Sequence, residues 1–179
     1  MRRIGGFTLI ELLLVMAIIG ILSAIAVPGL IRARQSGNET SAIGSIRAIH
    51  SGETAYASSC AQGGYAQNNA DLGKPPSGGL PFIGPDLAQA DVAGHGKSGY
   101  QVAVVDNADA TNRDLGLAAN TCNASSGNPR MNYFVGADPI VRGETGVRSF
   151  GSDRQSTIYF SHTAPVPNPI PAPFPDYVQ

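Results

Sequence analysis

The feature that most constrains this chain is an uninterrupted apolar run near its N-terminus, Leu12 to Ile31, entered through Gly5-Gly6-Phe7-Thr8-Leu9-Ile10-Glu11. Some twenty residues without a charge suffice to span a bilayer as helix. Only helix or closed barrel satisfies backbone groups in hydrocarbon, and a single run of this length can only be helix. The acid at Glu11 stands at the start of that run. A carboxylate costs roughly 2.5–3.5 kcal/mol at a bilayer centre and less near its edge, so an ionisable residue there calls for a partner.

An ordinary secretory signal would use Arg2 and Arg3 as its basic region, Leu12 to Leu22 as its apolar core and Ser23-Ala24-Ile25-Ala26 as a cleavage site. The apolar run continues past that site through Val27, Leu30 and Ile31, and this reading gives Glu11 no purpose. An acid merely snorkelling at the membrane edge is the alternative account of Glu11.

The ordered string Gly6-Phe7-Thr8-Leu9-Ile10-Glu11-Leu12, the apolar stretch to Ala26, and Pro28 resemble the N-terminus of type IV pilins and of type II secretion pseudopilins. The resemblance implies that a prepilin peptidase cuts after Gly6, releasing a leader of residues 1–6, and that Phe7 is then N-methylated. Glu11 would be the fifth residue of the mature chain, where the family carries its acid. Cleavage would also create a cation, the α-amino group of Phe7. A buried charge is tolerated when paired, so Glu11 of a neighbouring subunit can neutralise that amine only when subunits dock in register. The implied partners are further copies of this chain, the peptidase, an assembly ATPase and an inner-membrane platform. The implied course is a prepilin in the inner membrane, with its N-terminus cytoplasmic and its head outside, then a cell-surface filament. A periplasmic pseudopilus and a minor tip pilin for adhesion or DNA uptake are the alternatives.

Residues 7–31 are thus expected to form a transmembrane helix that becomes the filament core. Ala17, Gly20 and Ala24 allow close helix approach, as does membrane-helix composition generally. Pro28-Gly29 should kink the helix, since proline removes one backbone bond and clashes with the preceding turn. Ser36-Gly37-Asn38 is a second place to expect a bend. Over residues 32–60, Ile43, Ile46, Ile49 or His50, Glu53 and Tyr56 recur at helical spacing, predicting an amphipathic half that stops near Ser59 before Cys60 and Gly63-Gly64.

Residues 61–163 should form a loop-rich head. Strands are predicted at Tyr100–Val105, Asn132–Ala137, Arg148–Phe150 and Thr157–Ser161, and a short helix near Asp86 to Val92. A long helix followed by four short strands gives an α+β fold, the helix packed on a small antiparallel sheet. This looks like a pilin head. In the tail, residues 164–179, proline occupies every second position from Pro165 to Pro175, which holds the backbone extended. It reads as a surface tail with little order, or as a stiff arm.

Chemistry-bearing patterns are sparse. Cys60 and Cys122 are the only cysteines, and outside the cytoplasm they are candidates for a disulfide. Asp106, Asp109, Thr111, Asn112 and Asp114 make an oxygen-rich loop without EF-hand spacing, read as a solvated turn. The late acids Asp138, Glu144 and Asp153 are interspersed with Arg142, Arg148 and Arg154, unlike the calcium loop of major pseudopilins. His50, His95 and His162 lack metal-ligand spacing. No nucleophile elbow or HExxH pattern is present, so no catalysis, metal or cofactor is expected. Without its leader the chain carries ten basic and thirteen acidic residues, which does not favour nucleic acid as its main partner.

Overall fold

The computed structural model describes residues 6–92, 94–174 and 176–178. Most of the expected leader, with Arg2 and Arg3, lies outside the described residues, as does Pro175 of the tail. The chain divides into two compact units after Arg34, and a helix, α1, covers Leu9–Ser59.

In the first unit every described residue is exposed, Leu9 to Ile31 included. That apolar stretch is roughly 34 Å of helix at 1.5 Å per residue, enough to cross the ~30 Å hydrocarbon core. Pro28 lies inside α1, and the residues at Pro28-Gly29 and at Ser36-Gly37-Asn38 are helical. A proline deletes one donor and leaves the rest of the ladder to carry the helix on both sides. In the second stretch, Asn38 donates its side-chain amide to Thr145 O at 2.8 Å, and Gln35 donates to Gly143 O.

The second unit is the α+β head. Ala42, Ile46, Ile49, Glu53 and Tyr56 form one buried stripe of α1, with Glu39 and His50 on the same side. The stripe follows from the three- to four-residue spacing of the sequence, with Ala42 at its centre and Ile43 only partly buried. The helix ends after Ser59 through bonds from Cys60 N and Ala61 N to Tyr56 O and from Gly63 N to Ala57 O, with Gly63 at φ 94°. A left-handed glycine at that point is the ordinary way to satisfy the last carbonyls of a helix. Gly52 lies where α1 meets the loop before α3: a Cβ there would come within 2.6 Å of Ile83 Cγ2.

Two short helices follow, α2 (Asn69–Gly73) and α3 (Pro85–Ala88). The second is the helix expected near Asp86, one turn long and started by Pro85 at its first position. The first was not foreseen. It is capped by Asn68, whose Oδ1 accepts from Asp71 N at 2.8 Å.

The sheet is an antiparallel meander, β1 (Tyr100–Asp106), β2 (Tyr133–Pro139), β3 (Ser149–Asp153), β4 (Ile158–Ser161) and β5 (Tyr177–Val178), in that spatial order. Val102 faces Ala137, Val104 faces Val135, Val135 faces Ser152 and Ser152 faces Ile158. These residues form one face, and its apolar members share a core cluster with Ile46, Ile49 and Tyr56 of α1. The α+β expectation is borne out.

The fifth strand and the order of the tail depart from the sequence reading. Tyr177–Val178 pairs with β4, and Val166 is buried against Gly151 on the outer face of the sheet. Asn168 also donates to Asp106 O and accepts from Ala108 N. Prolines at alternate positions fix the backbone in advance, so laying it across the sheet costs little further entropy. The residues between them make the contacts.

Candidate assembly site

The N-terminal site is built on the first turn of α1. Thr8 precedes the helix, and its Oγ1 accepts from Glu11 N at 3.3 Å. Glu11 reaches back, its Oε2 accepting from Thr8 N at 3.0 Å and from Thr8 Oγ1 at 2.7 Å. This reciprocal arrangement is a capping box, which satisfies donors that the first turn would otherwise strand. Both bonds use Oε2. Glu11 Oε1 has no partner among the described residues, and a carboxylate carries several further acceptor positions. The sequence reading missed the box, although the spacing Thr8-Leu9-Ile10-Glu11 announces it.

Gly6 and Phe7 lie just before this turn, with the Phe7 side chain 79% exposed. Nothing within 4 Å would meet a Cβ at Gly6, Gly20 or Gly29. Packing inside one subunit therefore gives no reason for these glycines. Of the predicted residues, Gly6 and Phe7 directly precede the turn that carries Glu11, and Pro28 and Gly29 lie about five turns further along the same helix.

Three buried polar devices hold the head, and their partners were not foreseen. Glu39 accepts from Val147 N at 3.0 Å and from Arg148 N at 3.1 Å, and pairs with the Arg148 guanidinium at 2.7 Å. Burial pushes its pKa up, but these donors outweigh it and hold the carboxyl below its usual range. Arg148 also lies over the rings of Phe150 and Phe160. His50 of α1 bonds to both β2 and β3. Ser152 Oγ donates to Thr157 O, so it accepts from His50 Nε2 at 2.8 Å, leaving Nδ1 to accept from the Tyr133 hydroxyl at 2.5 Å. Burial lowers the pKa of this imidazole, with Asp153 partly opposing. Glu53 is fully buried. Its Oε2 accepts from Ala66 N at 2.9 Å, and burial pushes its pKa up to about 8.

Cys60 and Cys122 are joined by a disulfide, with Cα atoms 4.7 Å apart. It ties the end of α1 to the long connection between β1 and β2, beside a bond from Cys122 N to Cys60 O. In the oxygen-rich loop, Asp106 and Asp114 both pair with Arg130, and Asp109 caps Thr111. The cation in that loop is a guanidinium. Among the described residues no cluster of His, Cys, Asp or Glu could hold a metal ion.

The comparisons concern the N-terminal part. A family model described as a prokaryotic N-terminal methylation motif matches residues 1–27. Over 40 residues the chain is 58% identical to the type IV wide pilus major component PilA4 of Thermus thermophilus, covering 22% of this chain and 30% of that protein. Over 54 residues it is 41% identical to the type IV major pilin protein PilA of Myxococcus xanthus, covering 30% of this chain and 24% of that protein. The chain thus spans less than a third of the length of these curated relatives. No solved structure matches.

Proposed function

We propose, from the membership of the type IV pilin family that the methylation motif and the two pilin relatives support, that this chain is a structural subunit of a type IV pilus-like filament. It is made as a membrane-inserted prepilin, cut after Gly6 by a prepilin peptidase and N-methylated at Phe7. It is then assembled through its N-terminal helix by an assembly ATPase and an inner-membrane platform. Members of this family are structural subunits, and the chain catalyses no reaction.

The observation that carries the reading is the state of Glu11. It caps its own helix through Oε2, has no partner on Oε1 among the described residues, and heads an apolar stretch, Leu9 to Ile31, in which every residue is exposed. Such a surface is tolerable only in lipid or against copies of itself. In the filament the Phe7 amine of a neighbour meets the open side of Glu11, so a subunit docked out of register leaves both charges unpaired. Such contacts are heterologous and do not close, which yields a helical fibre.

Intact mass of the chain from sheared fibres tests this. The expected species begins at Phe7 and carries one added methyl group; a species beginning at Val27 would refute the reading. Glu11→Val should still be inserted and cleaved yet give few fibres, because the amine loses its partner while the apolar helix remains. Normal piliation by that variant would show the pairing to be wrong.

A further inference from the structure

The tail forms a strap over the outer face of the sheet, and between strap and sheet lies a cavity of about 370 Å³. Its floor comes from β3, β4 and β5. Core-facing Ser152 and Ile158 are register partners, so Asp153, Thr157 and Tyr159 point to the opposite face. Tyr177 stands directly across from Tyr159 on the neighbouring strand. The strap contributes Ile170, Pro171, Ala172, Pro173 and Phe174, and the Phe174 ring meets Tyr159 edge-on at 5.6 Å. Val166 in the niche over Gly151 and Asn168 bonded to Asp106 O anchor one end of the strap, and β5 anchors the other.

We infer that this cavity is a binding site for a neutral saccharide, formed by aromatic rings on the outer sheet face and completed by the proline strap. The volume is that of small-molecule sites. The lining divides by chemistry. Tyr159, Phe174 and Tyr177 offer aromatic surface of the kind on which the C–H face of a pyranose ring stacks. Gln155 and Thr157 can each donate and accept, the two tyrosines add hydroxyls, and Asp153 accepts. Among the described residues, no protein group bonds the Gln155 amide, the Thr157 hydroxyl, either tyrosine hydroxyl or Asp153 Oδ2. Asp153 Oδ1 is occupied by Gln155 N at 2.8 Å. Vicinal hydroxyls of a sugar need this mixture of donors and acceptors.

Charge and size narrow the class. The lining contains one carboxylate and no Lys, Arg or His, so a sialylated, sulfated or phosphorylated sugar would meet repulsion with no compensating cation. An organic cation is the competing fit, since aromatic rings beside a carboxylate also attract ammonium groups. The cavity is much larger than a tetraalkylammonium head, and its polar wall offers hydroxyl and amide groups that such a head cannot use.

The test uses the full chain in a detergent without a sugar headgroup, applied to immobilised neutral oligosaccharides of hexoses and N-acetylhexosamines and to sialylated and sulfated ones. The expected result is retention by neutral glycans, competed by the free sugar. Tyr177→Ala should lower it at least tenfold, since Tyr177 is half exposed and at an edge, where truncation spares the core. If that variant misfolds by its melting profile, the exposed Gln155→Ala replaces it, with a loss of several-fold. Four results would overturn the assignment. These are no retention by any neutral glycan, preference for acidic glycans, competition by tetramethylammonium but not by sugar, or retention unchanged in a folded variant. None of these outcomes depends on whether the chain polymerises.

Discussion

Glu53→Gln should stabilise the head at alkaline pH and leave it nearly unchanged in mild acid. Glu53 is fully buried between α1 and the segment around Ala66, with Asp71 near enough to disfavour a second negative charge. Its Oε2 takes the Ala66 amide proton, while Oε1 has no partner among the described residues. The carboxyl is therefore held neutral, and its pKa rises from an ordinary 4.5 to about 8. Between those values the unfolded chain has lost a proton that the folded chain keeps. Stability is thus full below pH 4.5 and falls by about 1.4 kcal/mol per pH unit until pH 8. The loss amounts to roughly 3 kcal/mol at pH 7 and between 4 and 5 kcal/mol at pH 8 and above. Glutamine keeps the acceptor for Ala66 and cannot ionise. Urea unfolding of the full chain in detergent, disulfide intact, should be followed at pH 5, 6, 7 and 8 for both proteins. Their stability difference should grow in favour of Glu53→Gln by roughly 3–4 kcal/mol from pH 5 to pH 8. His50 also titrates, but with the opposite sign: its lowered pKa removes stability as pH falls, and it cancels in the difference. A difference constant across pH 5–8 would refute the assignment of a neutral, strained Glu53.

Replacing Cys60 and Cys122 by serine opens a loop of 62 residues. Loop-closure entropy puts the loss near 4 kcal/mol, or 2–4 kcal/mol once residual unfolded structure is allowed for; an unchanged urea midpoint under non-reducing conditions would contradict this. Gly52→Ala would put a methyl 2.6 Å from Ile83 Cγ2 and 2.9 Å from Phe82 O, against a backbone that cannot retreat like a side chain. The expected cost is about 1–3 kcal/mol, and a neutral or raised melting temperature, as helix propensity alone would give, would show that the loop yields.

The long helix, its buried stripe and four of the strands were legible because each rests on a local period. Ile46, Ile49, Glu53 and Tyr56 repeat on one helical face, and Tyr100, Val102 and Val104 alternate on one strand face. What stayed illegible depended on partners distant in sequence. Nothing near Glu39 indicates that Val147 and Arg148 will meet it, and Glu53 fell on the buried stripe with no visible reason to be there. The tail misled differently. Its alternating prolines drew attention to stiffness, whereas Val166, Asn168 and Phe174 between them carry the contacts. The capping box was readable from Thr8 and Glu11 alone; considering Glu11 only as a charge in lipid hid its second use.

The three glutamates of α1 show how burial and bonding divide one residue type among different tasks. Glu39 and Glu53 are fourteen residues apart, almost four full turns, so they share the face that meets the head. Glu39 finds two backbone donors and a guanidinium within the chain, stays ionised, and clasps the connection between β2 and β3 to the helix. Glu53 finds one backbone donor, and the cost of burial keeps it neutral. Each is explained by what its own chain places around it. Glu11 is not. Thr8 accounts for one of its oxygens, and among the described residues nothing accounts for the other. A capping box would form as well with glutamine at that position, which satisfies the same donors without a charge. Inside the subunit the charge gains only the favourable end of the helix dipole; in the proposed filament a partner of opposite sign on another molecule would complete its pairing. Glu11→Gln therefore separates the two roles: it should preserve the helix start and still fail to build fibres.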